Sequence, residues 1–159
     1  MALYDTIRQD MTNALKQKDE FRLGVLRMLV AALQNQEIEK HAKLVKSGKE
    51  PEPLNDEEVM AVIDRETKKR KEVAMGYEQA GRPDASSQEF AEAKILQMYL
   101  PERMHGDELR FAVKALYESV PETDRLQFGK VMQKISENLR GKADMSEVSV
   151  VLRELMQAR

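Results

Sequence analysis

Four cations near the end of the chain carry the sharpest chemical signal. Lys130 and Lys134 stand four residues apart, and Arg140 and Lys142 follow closely. A four-residue interval sets two helical side chains one turn apart on the same face. Arg140 and Lys142 flank Gly141, and Asp144 reads as the N-cap of a new helix. A helix N-terminus presents unsatisfied N–H groups and partial positive charge, so it attracts phosphate. Cations beside such a terminus suit the backbone of a nucleic acid, because Lys and Arg neutralise phosphate without reading bases. Asp144 competes for the same donors. The bland alternative is the solvated surface of a small bundle.

A second basic run reads Lys68, Lys69, Arg70, Lys71. On a helix, Arg65, Lys68, Lys69 and Glu72 fall to one side. A solvated face is the default reading, and a phosphate-contacting surface at Lys68 and Lys69 is the sharper one. In the same segment Glu66 and Arg70 interrupt an apolar stripe of Val59, Val62, Ile63, Val73 and Tyr77. Their spacing suits an i, i+4 pair, which Arg27 would join. Such a cluster is either a half-buried ion pair that fixes helix register or a polar site.

Other chemistries find no support. The chain has no Cys, which excludes a disulfide framework, a thiolate metal site and a Cys nucleophile. Its two histidines, His41 and His105, lack a ligand set: Glu102 and His105 form one Glu-x-x-His unit where a di-iron site needs two, and Glu37 with His41 lacks a third ligand. Neither a Gly-x-Ser-x-Gly elbow nor a phosphate-binding Gly loop occurs. The expectation is a non-catalytic protein with no metal and no cofactor.

These residues need helices to position them. Hydrophobic residues at 42% suffice for a packed core despite 34% charged, so the composition is not that of a disordered chain. Periodicity predicts a helix from about Ala2 to Lys18 and a second from Glu20 to Ser47, apolar nearly all round between Leu23 and Leu33. A third, capped by Asn55 with Glu58 at the matching position, runs to about Ala80 and stops at Gly81. A fourth spans about Ala85 to Leu100, ended by Pro101. A fifth carries Leu109, Ala112, Val113, Leu116 and Val120. Two short helices close the chain: Phe128, Val131, Met132, Ile135 and Leu139 line the first, and Val148, Val151, Leu152 and Leu155 the second. Gly141 supplies the C′ position between them, and Glu147 makes a capping-box-like pair with Asp144. The fold class is all-α, with an N-terminal bundle of about four helices over 1–100 and a three-helix tail over 101–159. Met28, Met60, Met98, Met104, Met132 and Met156 read as core packing.

The ordered motifs carry a resemblance. Gly129-Lys130-Val131-Met132, then Arg140 to Asp144, then Val148, Leu152 and Leu155 resemble a tail domain of the glutamine-dependent Asp/Glu-tRNA amidotransferase, the one that follows its ATP-dependent catalytic portion. With Arg22 to Leu29, Arg65 to Lys71, Ala80 to Arg82 and Ile95 to Pro101 added, nearly the whole chain resembles the small bacterial YqeY proteins. That resemblance implies tRNA or another RNA as partner, held by the tail through Lys130, Lys134, Arg140 and Lys142. It does not imply amidotransferase chemistry, because the catalytic portion preceding that tail has no counterpart here.

Two rivals stand beside this reading: a protein-interaction module that binds no RNA, and an accessory component of a glutamine-dependent carbon–nitrogen ligase. The formal net charge of −2 and pI of about 5.8 oblige any RNA binding to use a local patch. No apolar run approaches the ~20 residues that span a bilayer. The N-terminus lacks the basic segment and apolar core of a signal peptide. The expected location is the cytoplasm, with no membrane partner.

Overall fold

The computed structural model describes residues 2–158. Seven helices and no strand occur among them: α1 (Leu3–Gln17), α2 (Glu20–Lys46), α3 (Asp56–Gln79), α4 (Pro83–Gln97), α5 (Gly106–Glu118), α6 (Phe128–Leu139) and α7 (Met145–Gln157). The all-α expectation is therefore met. The contacts divide the chain into two compact units that meet in sequence at Leu100 and Pro101.

The first unit holds α1 to α4 around Ile7, Leu26, Leu29, Leu33, Val59, Val62, Ile63 and Leu96. No Gly or Pro separates α1 from α2. Lys18 instead takes a left-handed conformation (φ 57°), and Asp19 accepts a hydrogen bond from the Arg22 N–H at 3.0 Å. A carboxylate at that position satisfies an orphan donor of α2 and favours the helix start. The segment after α2 is tied back onto it. Lys40 Nζ donates to the Pro53 carbonyl at 2.8 Å and pairs with Glu58 at 2.7 Å, and His41 Nε2 lies 2.9 Å from the Glu52 carbonyl. Asn55 and Glu58 form the reciprocal capping box that opens α3. The Lys40 ammonium and the Asn55 N–H hold the Glu58 carboxyl below its usual 4.5.

Helices α3 and α4 form a hairpin whose interface is lined by small buried residues, among them Thr67, Ala74, Ser86 and Ala93. Small side chains let the two backbones approach closely. Gly81 (φ 71°) makes the turn. α4 starts at Pro83, two residues before the expected Ala85, because Pro at N1 gives up only a donor that has no helical partner.

The second unit packs α5, α6 and α7 around Leu109, Val113, Val131, Ile135, Val148 and Leu152. Arg125 closes the α5–α6 connection, its guanidinium donating to the carbonyls of Glu118 and of Val120, the latter at 2.7 Å. Gly141 (φ 78°) ends α6 as expected of a C′ residue.

Candidate nucleic-acid interface

The apolar face of α6 fixes the direction of its cations. Val131, Ile135 and Leu139 are buried, which leaves Lys130 exposed and Lys134 at the edge. Both are already engaged within the chain. Lys130 Nζ pairs with Asp124 at 2.8 Å, and Lys134 Nζ donates to the Ser119 carbonyl at 3.2 Å. Arg140 and Lys142 are exposed and have no ion-pair partner among the described residues.

The turn that carries them is held on both sides. Lys142 donates its N–H to Leu139 at 2.9 Å, and its carbonyl accepts from the Met104 N–H at 2.8 Å. Ala143, the next residue, is buried in the core of the unit. The backbone is therefore pinned while the two side chains stand in solvent.

The terminus of α7 is occupied by its own cap. Asp144 accepts from the Ser146 N–H at 2.8 Å and from the Ser146 hydroxyl, and Arg103 approaches its other oxygen at 3.7 Å. A phosphate at those donors would have to displace a carboxylate. Glu147 does not turn back to Asp144 in a box. It meets His105 at 3.3 Å, a partner brought close by the packing of α5 against α7. Between these two helices lies a groove of about 350 Å³, floored by Leu109, Val150 and Val151. The ion pair of Arg110 with Glu154 at 3.8 Å lies along it, and no cation of the basic turn lines it.

On α3, Lys68 and Lys69 are both exposed, and Lys68 pairs with Asp64 one turn back at 3.3 Å. The polar cluster is arranged differently from the helix-surface pair that spacing suggested. Arg70 is buried and turns across the hairpin, toward Glu89 at 3.5 Å and into contact with Glu92. Its Nη2 also lies 3.4 Å from the Met28 sulfur. Glu66 is not among its partners, and Arg27 is exposed. The facing helix offers two carboxylates in a sheltered site, where charge–charge attraction exceeds that of a solvated i, i+4 pair.

Sequence reasoning missed a second polar junction. Tyr99 donates its hydroxyl to Asp10 at 2.6 Å, and Arg22 pairs with the same carboxylate at 3.6 Å. Burial, reinforced by the Asp10 carboxylate, pushes the Tyr99 phenol up to about 12. No local pattern could reveal it, since 89 residues separate the partners. Among the described residues no group of three or more His, Cys, Asp or Glu converges as a metal ion would require, and no helix is long and apolar enough to cross a membrane.

Residues 4–156 match the family described as Yqey-like protein. The chain belongs to the YqeY family. The match runs through both units, so the basic turn lies inside the extent of the YqeY family and is not an appendage to it. No curated protein matches this YqeY-family chain.

Proposed function

We propose that this YqeY-family chain is a non-catalytic cytoplasmic accessory protein that binds tRNA or another RNA through the turn between α6 and α7. The observation that carries the reading is that turn. Arg140 and Lys142 are exposed cations without ion-pair partners among the described residues, on a backbone pinned by Met104 and the buried Ala143. A backbone already pinned pays no further ordering cost when its two cations meet phosphates. Lys130 and Lys134 extend the patch along α6. Their present partners are exposed, so exchanging them for phosphate costs little. The α7 terminus takes no phosphate in this reading, because Asp144 fills it. The resemblance of the segment to the amidotransferase tail, a domain implicated in holding tRNA, points to the same partner.

The patch is small, and its unit carries ten Lys and Arg against ten Asp and Glu. Binding is therefore weak and set by local charge. Fluorescence anisotropy with labelled total tRNA at two salt concentrations tests it. Two to four phosphate contacts give a slope of about −2 to −4 for log affinity against log salt. Arg140→Glu with Lys142→Glu weakens binding about tenfold or more, by a similar factor for every RNA, as backbone contacts require. Unchanged affinity in that double variant removes the site. Absence of binding by the unaltered protein at low salt removes the RNA reading.

A further inference from the structure

The solvent face of α2 carries an apolar pattern that the core of the first unit leaves outside. Phe21, Gly24, Met28, Ala31, Asn35, Ile38, Ala42 and Val45 follow one another at intervals alternating between three and four. That alternation is the a/d seam of a coiled coil, and it runs almost the full 27 residues of the helix, about 40 Å. All eight positions are exposed. The large ones are strongly so: Phe21 at 45%, Met28 at 62%, Ile38 at 65% and Val45 at 61%. Contact with Arg70 covers only part of Met28. No charged residue occupies the seam, in a chain that is 34% charged. The core-facing residues of α2, such as Leu26, Leu29 and Leu33, lie on the opposite side.

Gly24 sharpens the point. A glycine in a helix interior costs stability relative to alanine. Here a Cβ would meet nothing within 4 Å, so no packing inside the chain calls for its absence. A bare backbone on an exposed seam suits close approach by a helix from outside.

We propose that the outer face of α2 is a self-association surface, on which a second copy of this chain packs its own α2 antiparallel. The seam is symmetric about the level of residue 33. Antiparallel pairing sets Phe21 against Val45, Gly24 against Ala42, Met28 against Ile38 and Ala31 against Asn35 of the second copy. Phe21 meets the smaller Val45, Met28 meets Ile38 of similar volume, and the small layers Gly24/Ala42 and Ala31/Asn35 alternate with these bulky ones. A parallel pair would set Phe21 on Phe21 at one end and Val45 on Val45 at the other. Charge selects the same direction. The helix begins with Asp19 and Glu20 against Lys18, Arg22 being paired with Asp10, and ends with Lys43 and Lys46. Antiparallel copies bring each acidic end beside the other's basic end, and the helix dipoles oppose. Parallel copies would bring like ends together. Asn35 is the one polar seam residue. The two Asn35 amides would lie about 6 Å apart along the axis, close enough to meet, and one polar seam position fixes register.

The proposal rests on α2 and is independent of RNA binding. Sedimentation equilibrium of the full chain tests it, with circular dichroism as the folding control. The unaltered protein sediments as a dimer at micromolar concentration, and Met28→Glu with Ile38→Glu sediments as a monomer of unchanged helicity. Gly24→Leu raises the melting temperature of the monomer, since Leu favours helix, yet weakens association at least about tenfold. Because the chain lacks Cys, direction is read by disulfide formation. Met28→Cys mixed with Ile38→Cys yields a mixed cross-linked dimer. Met28→Cys alone does not, since its two copies lie about 15 Å apart along the axis, beyond disulfide reach. A monomer at all concentrations, a dimer indifferent to the double Glu variant, or cross-linking of Met28→Cys with itself each overturns the proposal.

Discussion

Arg70 shows what one residue does in this fold. Its guanidinium sits between α3 and α4, against Glu89 and Glu92. Its Nε has no hydrogen-bond partner. Removing the cation strands two sheltered carboxylates one turn apart on α4, where each raises the cost of ionising the other. Arg70→Met therefore lowers stability by about 3 kcal/mol in urea unfolding. Glu89→Gln costs less than about 1 kcal/mol, because it removes the longer and more exposed contact and leaves Glu92 paired. Equal losses in both variants would contradict this division. The sequence marks Arg70 as a cation in an apolar stripe, and that much was legible. Its partner was not. Spacing within one helix suggests Glu66, whereas the observed carboxylates depend on hairpin register, set at Gly81 and Pro83 and invisible to local periodicity.

Between elements, the decisive contact is the one Tyr99 makes beyond the end of α4. Its hydroxyl reaches Asp10 on α1, and Arg22 on α2 shares that carboxylate, so one side chain ties three helices together. The phenol is raised from 10.0 to about 12. The folded state thus holds the proton more tightly than the unfolded chain does. The resulting stabilisation is fully present below pH 10, shrinks as pH rises above it and is gone near pH 12. Tyr99→Phe removes it. The gap in urea midpoint between the two proteins should be constant from pH 7 to 9 and narrow steadily above pH 10. A gap that persists unchanged at pH 12 would mean that the hydroxyl contributes no proton-linked stability. Helix existence and several caps were readable, because Asp19, Asn55, Gly81, Gly141 and Asp144 act within a few residues of themselves. The first half of α2, from Leu23 to Leu33, is apolar nearly all round. Leu23, Leu26, Leu29 and Leu33 do face the core, but Phe21 and Met28 look outward. Hydrophobicity alone does not say which of two faces the fold uses.

Across the whole molecule, two cores without a shared residue divide the work. The second has only 59 residues to build it, a size at which a chain buries roughly 60% of its unfolded surface and stands near the limit of independent folding. Three features favour its folding alone: Arg125 closing the α5–α6 connection, Asp144 capping α7, and a core fed by all three helices. A fragment of residues 101–159 should therefore show helical circular dichroism with a cooperative melt. That melt should lie below that of fragment 1–100, whose core is built from longer helices. The shorter fragment should also keep the salt-dependent RNA affinity of the full chain, because Lys130, Lys134, Arg140 and Lys142 all lie within it. If self-association runs through α2, fragment 1–100 keeps the dimer and fragment 101–159 is monomeric. An unfolded 101–159 fragment would mean that the tail draws its stability from the first unit. A folded fragment that has lost RNA affinity would place the decisive cations on α3, where Lys68 and Lys69 remain exposed.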